Sequence, residues 1–113
     1  MAKVQIIQSL FQQIQAKFKG ESHQVIDLLE SLEDSPHKGK FLGNVGGFVI
    51  KKLKYKNFRF YFITDGHILK CIDQDKLVDL LLLFVRMSDK NHQQQTINEI
   101  KQVLRTIGAG GFT

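Results

Sequence analysis

The sequence predicts an α+β domain in which two N-terminal helices pack on a mostly antiparallel sheet of four strands, with a fifth strand as an option and a helix at the C-terminal end. Two observations predict this class. Apolar residues recur every three or four positions in the first third of the chain and again near its end, whereas short β-rich runs separated by turn residues fill the middle. The 113 residues suffice for one core of two packed layers, so residues 1–113 are predicted to form a single domain.

Both N-terminal helices are predicted from apolar spacing. Residues 4–18 place apolar side chains at helical intervals, and Gly20 fits the end of this helix. Ser22 suits the N-cap of the second helix, whose apolar stripe runs through residues 25–32. Pro36 lacks a backbone N–H group, so the second helix is expected to end before it.

Two consecutive hairpins are predicted in the middle of the chain. Residues 48–54 and 58–64 are rich in β-forming side chains and flank a short polar connection. The dipeptide Asp65-Gly66 is typical of a two-residue hairpin turn, so residues 67–72 are expected to return as a strand, followed by a loop at 73–76.

The remaining elements are a central strand, an optional edge strand and the last helix. Residues 79–87 contain the most apolar run and predict a strand that is covered on both faces, while residues 40–44 supply the optional fifth strand. Asn91 and Gln94 resemble a capping box at the start of the final helix. Residues 108–113 follow a glycine stop and are expected to form a loose tail.

The composition excludes several classes of protein. A single cysteine permits neither an internal disulfide nor a multi-cysteine zinc site, and the four histidines share no ligand spacing. No nucleotide-binding, zinc-protease or serine-hydrolase motif is present, so no metal or cofactor is expected. No segment resembles a signal peptide or approaches the roughly 20 apolar residues that span a bilayer. We therefore expect a cytoplasmic protein without a membrane partner.

The charge favours an acidic partner such as nucleic acid. The net charge is +5 and the isoelectric point is near 9.4. No acidic residue lies between Ser35 and Thr64, and the same window holds seven basic residues: Lys38, Lys40, Lys51, Lys52, Lys54, Lys56 and Arg59. Lys52, Lys54 and Lys56 alternate along the chain, so they are predicted to project from one face of the sheet.

The strand at 58–64 adds an aromatic residue to this basic face. Its phenylalanines share one face and fit the core, whereas Arg59 and Tyr61 lie on the other face. Basic side chains beside an accessible ring are typical of single-stranded RNA binding, which makes Lys51, Lys52, Lys56 and Tyr61 candidate nucleic-acid contacts. The alternative is a solvated lysine face with a half-buried strand tyrosine.

A second candidate constellation lies where the most buried strand ends and the last helix begins. Arg86 must meet water or an anion there, unless it forms a structural ion pair with an acid such as Asp89. His92 has basic neighbours that favour the neutral ring, which is able to act as a base. Its alternative is a solvent-exposed histidine at the start of a helix.

Three short motifs accompany the order of the predicted elements: Leu42-Gly43, residues 57–62 (NFRFYF) and residues 84–91 (FVRMSDKN). In these motifs and in that order of elements, the chain resembles the RelE/ParE superfamily of bacterial toxins, and most closely its RelE/HigB-like branch. The resemblance implies the toxin of a type II toxin–antitoxin system. Such a toxin is a metal-independent endoribonuclease that cuts messenger RNA on the ribosome and so inhibits translation. Its partners would be messenger RNA, the ribosome and an acidic antitoxin protein.

The resemblance also assigns roles to residues. It implies that Arg59 and Arg86 clamp the scissile phosphate, that Lys54, Lys52 or His92 supplies the base and acid for attack by the ribose 2′-hydroxyl, and that Lys90 contacts RNA. Two alternatives remain open. ParE-like members share the fold, lack the ribonuclease residues and inhibit DNA gyrase, and a basic RNA-binding module need not be toxic at all.

Overall fold

The computed structural model describes residues 2–70 and 80–112, and the predicted loop at 73–76 lies outside these ranges, as do residues 71–72 and 79 of two predicted strands. The chain has the predicted α+β class. Its strands are β1 (Lys3–Ile6), β2 (Lys40–Val45), β3 (Phe48–Tyr55), β4 (Phe58–Asp65) and β5 (Leu81–Asp89). Its helices are α1 (Gln8–Phe18), α2 (Ser22–Glu30), α3 (Gly66–Leu69) and α4 (Gln93–Thr106).

The five strands form one mixed sheet in the order β1-β5-β4-β3-β2. All neighbouring pairs are antiparallel except β1 and β5, which are parallel. The optional fifth strand is confirmed as β2. The prediction that the first helix starts at residue 4 is wrong, because Lys3 N donates to Leu80 O at 2.9 Å and Ile7 N donates to Phe84 O at 3.2 Å. These backbone bonds dock β1 beside β5.

Helices cover both faces of the sheet, so the domain has three layers rather than the two that the sequence predicted. On one face, Leu10 and Ile14 of α1 and Val25 and Leu29 of α2 belong to the same core as the strand residues Phe60, Phe62 and Phe84. On the other face, the α4 residues Ile97, Ile100 and Leu104 pack with Ile50, Tyr61 and Val85. The strands carry apolar side chains of both parities, which is why each face needs a cover.

The second predicted hairpin is absent from the described residues, because a short helix follows β4 where a return strand was predicted. Asp65 is the N-cap of α3, and its Oδ1 accepts hydrogen bonds from the backbone N–H groups of His67 (2.8 Å) and Ile68 (3.1 Å). Aspartate favours both tight turns and helix caps, and here the cap prevails.

The end of the described chain is packed rather than loose. Phe112 is 6% exposed and belongs to the core beneath α4. A 3-10 turn at Ala109–Gly111 returns the chain to that core, and Gly108 allows the reversal with φ +96°. The predicted tail is therefore wrong for residues 108–112. The predicted cap is wrong as well, since Asp89 rather than Asn91 caps the 3-10 turn Lys90–His92 that leads into α4.

Candidate nucleic-acid interface

Basic side chains from three neighbouring strands meet on the α4 face of the sheet. The register places Lys40 of β2 opposite Lys52 of β3, and Lys54 of β3 opposite Arg59 of β4. Residues that are directly opposite in an antiparallel pair project from the same face. We call these four residues the cation cluster. Ser88 of β5 lies opposite Arg59 and continues the same row.

Two members of the cation cluster converge on one neutral oxygen atom. Lys52 Nζ donates to Gln93 Oε1 at 2.9 Å, and Arg59 Nε donates to the same oxygen at 3.1 Å. Arg59 Nη1 also donates to the backbone oxygen of Asn57 at 3.0 Å, which fixes the plane of the guanidinium group. Gln93 is the first residue of α4, so the helix start positions the acceptor over the sheet.

Burial changes the acid–base behaviour of this cluster. Lys52 and Arg59 are each 7% exposed, whereas Lys40 and Lys54 are exposed. Burial lowers the pKa of Lys52, and the positive charges of Lys40, Arg59 and Lys54 lower it further. Lys52 therefore gives up its proton more readily than an ordinary lysine, and its surroundings favour an incoming anion.

Within residues 2–70 and 80–112, no carboxylate forms an ion pair with the cation cluster. The ion pairs of this part of the chain join other groups: Lys56 to Glu21, Arg86 to Glu99 and His92 to Asp89. No neighbour of the cluster residues in the sequence between Ser35 and Thr64 is acidic, and the long-range ion pair from this window, Lys56 with Glu21, lies outside the cluster. The cluster thus keeps its positive charge free for an external partner.

Three of the predicted site residues, Lys52, Lys54 and Arg59, are brought together in the cluster. Arg86 is not. Its Nε donates to Glu99 Oε1 at 2.6 Å, and its guanidinium carbon lies 5.2 Å from the centre of the Phe112 ring. Arg86 therefore forms a structural ion pair, the alternative considered for it, and its partner is Glu99 of α4 rather than Asp89.

Tyr61 cannot present an open ring to a nucleotide base. It is 0% exposed beneath α4, and its hydroxyl lies 2.7 Å from Ser88 Oγ. Burial raises the pKa of this hydroxyl. The expected accessible ring is therefore wrong, because α4 covers this face of the sheet, a packing that no local pattern in the sequence indicates.

Two predicted lysine contacts lie away from the cation cluster. Lys51 is 6% exposed, and its Nζ donates to the backbone oxygen of His37 at 2.8 Å. Lys56 adopts a left-handed φ of 54° in the β3–β4 turn and pairs with Glu21 between α1 and α2, at 3.0 Å. Its hydrogen bond with Glu21 raises the pKa of Lys56. The predicted shared face therefore holds for Lys52 and Lys54 but not for Lys56.

His92 and Lys90 lie in the 3-10 turn between β5 and α4, and both are exposed. His92 Nδ1 lies 2.7 Å from Asp89 Oδ1, and the same oxygen accepts the backbone N–H of His92 at 3.0 Å. The hydrogen bond from the ring holds the pKa of Asp89 below its ordinary value. The His92 ring therefore contacts an acid, and its exposed position at the start of α4 matches the alternative of a solvent-exposed histidine.

Sequence reasoning missed Gln93 and Lys40. Gln93 stands in a run of three glutamines, and no pattern separates it from Gln94 or Gln95. Lys40 was noted for its charge, but only the β2–β3 register brings it beside Lys52. The optional fifth strand was the signal that could have placed it.

The described residues contain no group of three or more His, Cys, Asp or Glu side chains that could hold a metal ion. Among these residues, no helix combines the length and the apolar character needed to cross a membrane. Comparisons with protein-family models, with curated proteins and with solved structures found no match.

Proposed function

We propose that this protein is an endoribonuclease that cuts messenger RNA and acts as the toxin of a toxin–antitoxin pair. One observation carries the proposal: Lys52 and Arg59 both donate to Gln93 Oε1. That oxygen occupies a position suited to an anion. A phosphate oxygen would bind there more strongly than a neutral amide oxygen, because its negative charge adds a Coulombic attraction to the two charged donors.

The chemistry of RNA cleavage fits the properties of the cluster. The 2′-oxygen of the ribose forms a bond to the adjacent phosphorus, and the bond from phosphorus to the 5′-oxygen of the next nucleotide breaks. Lys52 accepts the proton of the 2′-hydroxyl in its neutral form, which its lowered pKa makes more accessible than in an ordinary lysine. Arg59 stabilises the negative charge that develops on the phosphate, and Lys54, exposed opposite Arg59, donates a proton to the departing oxygen.

The proposal also includes partners and a compartment. Positive charge without carboxylate partners would attract both RNA and an acidic antitoxin protein, and the two would compete for the cation cluster. The protein would act in the cytoplasm, where it meets messenger RNA on the ribosome.

Induced expression in a bacterial host tests this function. We expect protein synthesis, followed by pulse labelling, to fall before DNA synthesis changes. Arg59→Gln should restore growth because it removes the fixed charge of the cluster. Arg105→Gln is the matched control, since Arg105 is exposed near the end of α4 and the change removes the same charge. The control should arrest growth as the wild type does.

A second candidate is favoured by the ion pairs of Arg86 and His92, which commit two of the predicted catalytic groups to Glu99 and Asp89. With those groups occupied, the protein could act as a ParE-like inhibitor of DNA gyrase that needs no catalytic base. Growth arrest with filamentation and a DNA-damage response, while translation continues, would support this inhibitor and reject the ribonuclease. RNA binding without arrest or cleavage would support a non-toxic binding module.

A further inference from the structure

A second basic feature, a cavity of about 480 Å³, lies beside the cation cluster at the edge of the sheet. Its lining comes from the segment that enters β2 and from β3: Lys38, Gly39, Lys40, Lys52, Leu53 and Lys54. The volume falls in the range of roughly 300–1,000 Å³ that is usual for small-ligand sites. Lys40, Lys52 and Lys54 belong both to this cavity and to the cation cluster, so the two sites are contiguous and Lys38 is the cavity lysine outside the cluster.

The backbone of Gly39 forms part of this cavity for a steric reason. Gly39 adopts φ +104°, a conformation that side chains rarely allow. A Cβ atom here would lie 3.1 Å from the backbone oxygen of Lys52 and 3.1 Å from the Phe62 ring. Glycine therefore permits the segment before β2 to lie directly against β3.

Lys51 holds the same segment from the other face of the sheet. Its Nζ donates to the backbone oxygen of His37 at 2.8 Å, and it lies 6.0 Å from the centre of the Phe62 ring. The hydrogen bond fixes the chain two residues before Gly39. The cavity is thus built by packing and by a buried hydrogen bond, and its lysines are presented from a positioned backbone.

The charge of the lining selects the kind of ligand. All four ionisable side chains are lysines, and none of them forms an ion pair with a carboxylate of the described residues. Like charges around one cavity repel one another, and a bound anion offsets that repulsion. A cation is excluded, and an apolar ligand would leave the repulsion in place.

We infer that this cavity binds a backbone phosphate of the RNA strand, next to the phosphate held by Lys52 and Arg59. Lys38, which lies outside the cation cluster, would supply a contact that the reaction itself does not need, and Lys40 would contact the same phosphate from the edge of the cluster. The inference rests on the proposed ribonuclease function, which it extends by one nucleotide toward the β2 edge of the sheet.

The test compares two double variants of the full chain that lose the same charge. Lys38→Gln/Lys40→Gln removes two of the cavity lysines that do not donate to Gln93 Oε1. Lys3→Gln/Lys17→Gln is the matched control, because both lysines are exposed, one on β1 and the other on α1. Binding of a labelled single-stranded oligoribonucleotide would be measured over a series of salt concentrations.

We expect the cavity variant to bind RNA about tenfold more weakly, and its plot of log affinity against log salt to be shallower by about 0.7 for each lost phosphate contact. Its KM for cleavage should rise, and because the charge of Lys40 helps to lower the pKa of Lys52, the pH profile of the rate at saturating RNA should shift to higher pH. The control variant should keep the wild-type slope. Equal slopes in both variants, with RNA binding by the wild type intact, would overturn the cavity site and leave the ribonuclease proposal standing.

Titration with inorganic phosphate tests the cavity site independently of the proposed ribonuclease function. We expect phosphate to shift the NMR signal of the Gly39 amide in the wild type but not in Lys38→Gln/Lys40→Gln. That result without RNA binding would support a phosphate cavity and reject the ribonuclease. An unmoved Gly39 signal would overturn the cavity site.

Discussion

At the scale of single residues, Gln93 determines how the buried cations are held. Its Oε1 accepts from Lys52 and Arg59 at once, and rotation of its side chain would release both donors to a ligand. A neutral acceptor keeps the two charges in place without cancelling them. A carboxylate at this position would stabilise the fold and occupy the site.

Lys52 illustrates the conflict between stability and binding. It is 7% exposed, and burial together with three nearby cations lowers its pKa. We predict that Lys52→Met increases the free energy of unfolding by about 1 kcal/mol, because an apolar side chain of similar length replaces a buried charge. Urea unfolding at neutral pH would measure the gain, and RNA cleavage should be lost in the same variant.

The lowered pKa of Lys52 also determines how the free energy of unfolding changes with pH. Between the lowered pKa of Lys52 and its ordinary value of 10.5, the unfolded chain retains a proton that the folded protein has released. Wild-type stability therefore rises with pH in that interval, and the advantage of Lys52→Met shrinks there. Lys54→Met is the control, since Lys54 is exposed and should change stability by less than about 0.5 kcal/mol. A less stable Lys52→Met variant would contradict the argument.

At the scale of elements, α4 and the segment after it complete one face of the sheet. The sequence predicts α4 well, because its apolar spacing is regular. It does not reveal that Phe112 returns to the core, since a single aromatic residue after several glycines has no periodicity. Nor does it reveal β1, because a four-residue strand beside a helix has the same apolar spacing as the helix start.

The packing of Phe112 leads to a stability prediction for the C-terminal segment. Phe112 is 6% exposed, so Phe112→Ala should lower the free energy of unfolding by about 3 kcal/mol. Ile107→Ala is the control in the same segment, because Ile107 is 71% exposed and its truncation should cost less than about 0.5 kcal/mol. Thermal and urea unfolding measure both. Equal losses in the two variants would show that the segment does not pack as described.

Phe112 also contacts Arg86, whose guanidinium group lies against the Phe112 ring. Two observations that the sequence could not supply place Arg86 there. One is the irregular register between β4 and β5 at Tyr61 and Phe62, and the other is the acidic Glu99 on the facing helix. Long-range pairings of this kind arise from packing and leave no local pattern in the chain.

At the scale of the whole molecule, the covered sheet limits where a partner can bind. Helices α1 and α2 take one face and α4 takes much of the other, and the cation cluster lies beside α4 on β3, β4 and the edge strand β2. The lack of acidic residues between Ser35 and Thr64 predicted the positive charge of the cation cluster. The alternation of side chains along the strands placed Lys52, Lys54 and Arg59 on the same face. The sequence did not predict that helices cover both faces of the sheet, and the helix on this face buries Tyr61.

The long-range charge pattern follows from the same arrangement. Acidic residues gather around α2. Glu21, just before the helix, pairs with Lys56, and Glu33, just after it, accepts the backbone N–H of Val4. The cation cluster lies on the α4 face of the sheet, opposite to α1 and α2. The molecule is thus polarised, which would orient a negatively charged strand toward the cluster as it approaches.

The most direct test of the central claim, that Lys52 and Arg59 act on an RNA phosphate, is to add the purified protein to a cell-free translation reaction and map the 3′ ends of its message. We predict cuts that leave 2′,3′-cyclic phosphates with the wild type and with Gln95→Glu, whose new charge lies on the exposed side of α4. Gln93→Glu should leave the message intact, because its carboxylate would hold both cations. A message that the wild type does not cut, or that Gln93→Glu cuts equally well, would contradict the claim.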